Sequence, residues 1–196
     1  MRRFRKMLCE TNYYRLLLRP ATIILFLSWL GFTGITQATV FYSKEEAFEL
    51  AFGQGAEVEP VALFLTDEQA EKIEKLAQVK LDSKLYTLHV GKRGGQVLGY
   101  AAIESHNVRT QPETVMILLS PSGELSRVEM LAFHEPPEYQ PPTRWFEKLY
   151  RRPLQDLRLN QGVDGIAGAT LSSRASLDGI RKVMAIYQVA LKEEKN

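Results

Sequence analysis

Tyr86-Thr87-Leu88-His89-Val90, then Gly91-Lys92-Arg93-Gly94-Gly95, then Gln96-Val97-Leu98-Gly99-Tyr100-Ala101-Ala102-Ile103-Glu104 is the stretch on which the fold is read. Tyr86, Leu88 and Val90 alternate with Thr87 and His89, the period of a half-buried strand. Residues 91–95 read as a turn and 96–104 as the returning strand, so the centre of the chain is a hairpin. Towards the C-terminus, 114–119 is more continuously apolar and Ser120-Pro121-Ser122-Gly123 is the next turn. Residues 125–133 form a further strand with Val128, Met130 and Ala132 on one face.

On the N-terminal side, 44–52 reads as a short amphipathic helix with Ala47, Phe48, Ala51 and Phe52 on its apolar side, ended by Gly53-Gln54-Gly55. Residues 60–65 read as a short strand. Thr66 is an N-cap with Gln69 at the capping-box position. The helix after it runs to about Ala77, with Ala70, Ile73, Leu76 and Ala77 inward. Beyond the strands, four prolines fall within 136–142 and deny that stretch regular hydrogen bonding. A short helix follows from Thr143 with Trp145, Phe146 and Leu149. The last helix is expected to start at Ser172 or Ser173. Leu177, Ile180, Met184, Tyr187 and Leu191 recur along it every three or four residues, one buried stripe. The sum is an α+β domain, an antiparallel sheet flanked by helices.

Residues 1–38 have a different character. Arg2, Arg3, Arg5, Lys6, Arg15 and Arg19 stand against Glu10 alone, and the apolar run 21–32 ends in small and polar residues up to Ala38. This is the pattern of a secretory signal. The uninterrupted apolar core is shorter than the roughly 20 residues of a comfortable span, but extension through Gly31 and Ile35 approaches it. A cleaved signal peptide and a retained membrane anchor through 21–38 both remain open. Either way the basic flank stays cytoplasmic and the rest is exported. The organisation read from sequence is 1–38 as signal or anchor, 39–83 as an N-terminal helical extension of the domain, and 84–196 as its main part.

Charge and cysteine usage follow that division. The whole chain carries 25 basic and 23 acidic residues, net +2; six of the basic and one of the acidic lie in 1–38, leaving 19 against 22, net −3. The exported part gives no reason to expect a nucleic-acid partner. The single cysteine, Cys9, precedes the apolar core. A chain cleaved after Ala38 therefore has no disulfide, no Cys-held cluster and no cysteine nucleophile. His89 and His106 have neither Cys nor a spaced His beside them, so no metal site is expected.

The chemistry is concentrated in Asp164-Gly165-Ile166-Ala167-Gly168-Ala169-Thr170, followed by Leu171-Ser172-Ser173. Gly165, Gly168 and Ala169 keep side-chain bulk away from Thr170, and both glycines admit backbone angles that other residues resist. The helix start just beyond offers N–H groups to a phosphate. Arg174, in the first turn, adds a second positive contact if it faces the loop. A phosphate can be linked to Thr170 only through its hydroxyl. From the residues alone, a glycine-rich loop with ordinary N-capping fits equally well.

This segment resembles the flavinylation motif of periplasmic FMN-binding domains, a family similar to the G subunit of the Rnf electron-transport complex and the C subunit of the sodium-pumping NADH:quinone reductase. Its pattern is Asp-x-x-Ser/Thr-Gly-Ala-Thr. The chain matches at Asp164, Gly168, Ala169 and Thr170 and departs at Ala167, where the family usually has Ser or Thr. Gly99-Tyr100-Ala101, the strand ending Val128-Glu129-Met130-Leu131 and the loop His134-Glu135-Pro136-Pro137-Glu138 also resemble the family, which often has Glu-Thr-Pro-Gly near that last position.

The resemblance implies FMN held covalently, its phosphate esterified to the Thr170 hydroxyl by a separate flavin transferase that uses FAD and magnesium. It implies a cofactor site comprising Asp164, Gly168, Ala169, Thr170, Leu171, Ser172 and Arg174, with His134 and Glu135 on the rim of the flavin pocket. Asp164 either helps the transferase or makes an Asx-turn. Trp145 and Phe146 either stack near the flavin or pack in the core; Tyr139 lies on the same loop. Lys92 and Arg93 read as a solvated turn, with a docking face for an acidic redox partner as the other reading. The function implied is electron relay on the outer face of a bacterial cytoplasmic membrane or in the periplasm, to or from a membrane redox complex or an exported carrier. An FMN-dependent reductase of a small acceptor and a flavin-free binding or sensory domain are the alternatives.

Overall fold

The computed structural model describes residues 39–192. The expected signal or anchor, 1–38, lies outside the described residues. Six strands form one antiparallel sheet: β1 (Thr39–Val40), β2 (Glu57–Phe64), β3 (Leu85–Arg93), β4 (Gln96–Asn107), β5 (Pro112–Leu119) and β6 (Leu125–Phe133), in the order β1-β6-β5-β4-β3-β2. The α+β expectation of an antiparallel sheet flanked by helices holds. Residues 39–83 supply both edge strands of this sheet as well as two helices. Among the described residues no helix is long and apolar enough to cross a membrane.

Helices lie on both faces. On one face α1 (Lys44–Phe52) buries Ala47 and Phe52 against Ala101, Met116, Leu118 and Leu131. The other face carries α2 (Asp67–Ala77) and α4 (Thr170–Ile186), which meet Leu88, Val115, Ile117, Leu125 and Val128 in the larger core. A short α3 (Thr143–Glu147) adds Trp145 and Phe146 to that core. Alternation along the strands sends successive side chains to opposite faces, so β4 and β5 feed both cores. The stripe Leu177, Ile180, Met184, Tyr187 and Leu191 is buried throughout, although the helix ends as a π-turn over Tyr187–Lys192.

The capping box expected at α2 is present: Thr66 Oγ1 accepts from the Gln69 N–H and Gln69 Oε1 accepts from the Thr66 N–H. Ser43 and Glu46 make the same reciprocal pair at α1. Four local expectations are corrected. Leu76 is exposed rather than inward, because Ala70, Ile73 and Ala77 already fill the buried face. The central turn is shorter than residues 91–95: β3 runs through Arg93, and only Gly94 and Gly95, both at positive φ, make the two-residue hairpin turn. Gly91 sits inside β3 because the Phe52 ring lies 2.2 Å from where its Cβ would be. The face of β6 changes part-way, since Leu131 is the extra residue in a bulge between the Thr114–Ala132 and Val115–Met130 pairs. Phe133 rather than Ala132 therefore continues the buried row of Val128 and Met130.

Lys92 and Arg93 end β3 rather than forming the turn, and Arg93 is exposed there. Lys92 pairs with Glu59 at 2.5 Å, and Arg93 donates to the Phe52 and Gln54 carbonyls at 3.0 and 3.1 Å, closing the C-terminal end of α1.

Candidate functional site

The motif loop is fixed from behind by the core. Trp145 is buried, and its indole N–H donates to the Asp164 carbonyl at 2.9 Å. Ile166 packs against the core, and its carbonyl accepts from the Ala169 N–H at 3.1 Å. That bond closes a tight turn with Gly168 at its third position and φ 85°, the left-handed conformation that favours glycine. Ala169 is buried beneath the turn, at 2 % exposure.

Thr170 is itself the first residue of α4, so the expected start at Ser172 or Ser173 is corrected. The Ala169 carbonyl accepts from both the Ser173 N–H at 2.9 Å and the Ser173 hydroxyl at 2.7 Å. Those bonds draw the helix one turn further back than hydroxyl capping would. Ala169, the N-cap residue, has no side chain to cap with. The amides of Thr170, Leu171 and Ser172 precede the first backward bond of the helix and point out of its positive end. Thr170 is exposed; its hydroxyl donates to the Ile166 carbonyl at 3.1 Å, which fixes the oxygen at the helix start.

A cleft of about 320 Å³ opens here, lined by Val108, Arg109, Tyr139, Gly168, Thr170, Leu171 and Ser172. Its size falls in the range of small-ligand sites. Opposite the helix start, the Arg109 guanidinium lies 5.0 Å from the centre of the Tyr139 ring, a cation–π contact. Arg109 is held by its backbone: one Glu135 oxygen, Oε1, accepts the N–H groups of Arg109, Thr110 and Gln111 at 3.2, 2.7 and 3.0 Å. The Thr110 N–H foremost, with those of Gln111 and Arg109, keeps the Glu135 carboxyl below the usual carboxylate range.

Of the residues expected at the site, Gly168, Thr170, Leu171 and Ser172 line the cleft, and Ala169 underlies it. Asp164 is exposed outside the lining. Arg174 lines a separate cleft with Arg158 and Arg181. Glu135 turns to the loop amides, and neither it nor the half-buried His134 lines the Thr170 cleft. Trp145 and Phe146 belong to the core. Arg109 was not anticipated. It lies some sixty residues before the motif, and only the β4–β5 connection brings it opposite Thr170. Among the described residues no three His, Cys, Asp or Glu side chains gather as a metal site.

The donor set suits an anionic, aromatic ligand: an exposed hydroxyl, a helix start and a guanidinium beside a phenol ring. Residues 110–185 match the FMN-binding domain family. This is the family that the Asp164–Thr170 motif resembles. The matched stretch begins at the loop clamped by Glu135, takes in β5, β6 and the proline-rich segment, and ends within α4. The match supports FMN as the ligand and flavin-based electron transfer as the role. No curated protein matches the chain.

Proposed function

We propose that the protein is an exported electron-transfer flavoprotein with FMN joined through its phosphate to the Thr170 hydroxyl. The observation that carries this reading is the placement of Thr170: an exposed hydroxyl at the first position of a long helix, inside a cleft, with no side chain capping the helix. The amides of Thr170, Leu171 and Ser172 would hold the phosphate. Tyr139 and Leu171 would flank the ring, and Arg109 would offset negative charge on it. Asp164, exposed six residues before the acceptor, is presented to the flavin transferase that would load the site.

The flavin supplies one- and two-electron chemistry; the chain supplies the tether, the walls and the electrostatics. Covalent attachment suits a compartment outside the cytoplasm, where lost FMN is not easily replaced. The electron partners are a membrane redox complex or an exported carrier, and the protein works in the bacterial periplasm or on the outer face of the cytoplasmic membrane, reached through residues 1–38.

The reading is tested by co-expressing the protein with a flavin transferase and examining denatured samples for flavin fluorescence. Parent and Thr170→Ser should retain the signal, and Thr170→Val should lose it. Fluorescence retained in Thr170→Val would place the attachment elsewhere. A loaded protein that exchanges electrons with a carrier protein, yet shows no saturable turnover with small acceptors, is a relay; saturable turnover would make it a reductase.

A further inference from the structure

Beneath the Thr170 cleft, a line of polar side chains runs through the seam between α4 and the sheet. On the helix, Ser172, Ser176, Gly179 and Lys182 recur at spacings of four, three and three, which puts them on one face. Facing them are Glu113 on β5 and His106 and Glu104 on β4. Glu113 and His106 are directly paired across the two strands. The Ser176 hydroxyl donates to Glu113 Oε1 at 2.8 Å, and the His106 ring lies over Gly179, 2.5 Å from where a Cβ would stand. Lys182 pairs with Glu104 at 2.6 Å, both largely buried.

Three atoms on this line are buried with no hydrogen-bond partner from the protein: Ser172 Oγ, Glu113 Oε2 and His106 Nε2. Such atoms are few in folded proteins and each calls for a reason. Glu113 is wholly buried, at 0 % exposure, and Ser172 is 1 % exposed. The two ends of the line open differently. Ser172 lines the Thr170 cleft, whereas His106, Gly179 and Lys182 line a second cleft of about 480 Å³.

We propose that Glu113 is the proton carrier of the Thr170 cleft, exchanging protons with it through Ser172 and with solvent through His106 and the second cleft. This rests on the flavin reading above. Each electron that a donor protein delivers to the cleft is matched there by one proton, which Glu113 gives up from its carboxyl by way of Ser172, becoming a carboxylate. It then regains a proton from solvent by way of the second cleft, so charge in the cleft is balanced and no other reactant is needed. Burial raises the Glu113 carboxyl to about 7, against the lowering effect of the Ser176 bond, so the group changes state near neutrality. The charged and titratable neighbours are His106 on β4, the Lys182–Glu104 pair, Lys80, Asp82 and Asp178 at the second cleft, Arg109 in the β4–β5 connection and Glu135 just beyond β6. Burial first, then Lys182, lowers His106 to about 4, so it stays neutral over the same range.

The test uses full-length protein loaded by a flavin transferase, with loading verified by intact mass, and titrated with dithionite and mediators at a series of pH values. The potential of the parent should change its pH slope near 7. Glu113→Gln should lose that break. Ser176→Ala, which removes the bond that lowers the carboxyl, should move the break to higher pH while keeping it. Curves for Glu113→Gln that superimpose on the parent, with flavin present, would overturn the proton-carrier role alone; so would an unmoved break in Ser176→Ala. Absence of a flavin mass increment would overturn the flavin reading and this inference with it.

Discussion

On one side of the Thr170 cleft, a single carboxylate oxygen of Glu135 accepts three successive backbone N–H groups, while beneath the other side Glu113 has one serine hydroxyl and an oxygen with no protein partner. Both glutamates are buried; Glu113 lies at the start of β5 and Glu135 two residues beyond the end of β6. Their acidities are nevertheless pushed in opposite directions: Glu135 down by its backbone donors, Glu113 up by burial. Satisfied hydrogen bonding makes the first a structural clamp that sets Arg109 opposite Thr170. The lack of it makes the second a group that titrates. Burial alone therefore does not fix a carboxyl's role; the donors around it do.

The largest expected effect that sharpens this contrast is on stability against pH. A carboxyl raised from 4.5 to about 7 in the folded state favours folding fully below 4.5. That contribution is lost as pH rises through about 7. The loss amounts to about 3 kcal/mol for a wholly buried group. Glu113→Gln should flatten this fall, as read by urea unfolding at a series of pH values; an unchanged profile would mean that folding leaves the acidity of Glu113 where it is in the unfolded chain. Next in size is Gly179→Ala, whose new methyl would meet the His106 ring. It should cost about 1–3 kcal/mol, as overpacking does, and a neutral result would show that the seam is looser than described.

Smaller is Trp145→Phe, which removes the bond to the Asp164 carbonyl. The expected cost is about 1 kcal/mol, with faster hydrogen exchange in residues 164–169 and less flavin attached per chain. Smallest is Glu135→Gln, which keeps one oxygen for the three amides. It should remove the stabilisation that Glu135 gives above its unfolded value, a contribution otherwise lost as pH falls through its lowered folded value. Acid unfolding then loses part of its pH dependence; an acid limb identical to the parent would count against the clamp.

The clamp and the seam also differ in how far sequence reveals them. Local signals carried the capping box at Thr66, the limits of β6 and the buried stripe of the last helix, because each depends on residues within a turn or two. The start of α4 was misplaced since Ser172 and Ser173 look like caps, yet the Ala169 carbonyl takes both donors of Ser173. The bulge at Leu131 needs a strand partner to be seen. Glu113 falls just before the apolar run 114–119 and carries no signal of its own; only Ser176, 63 positions later, shows what it faces. A faint signal existed, the small residues Ser172, Ser176 and Gly179 at helical spacing on a helix otherwise facing the core. Arg109 had none, because its place follows from the β4–β5 connection.

Both regions gain their meaning from the attachment proposed at Thr170, so the most direct measurement is the intact mass of the protein co-expressed with a flavin transferase, beside Thr170→Ala. The expected result is the increment of one FMN less one water in the parent alone. An unmodified parent, under conditions that load a control domain, would contradict the account, as would an increment retained in Thr170→Ala.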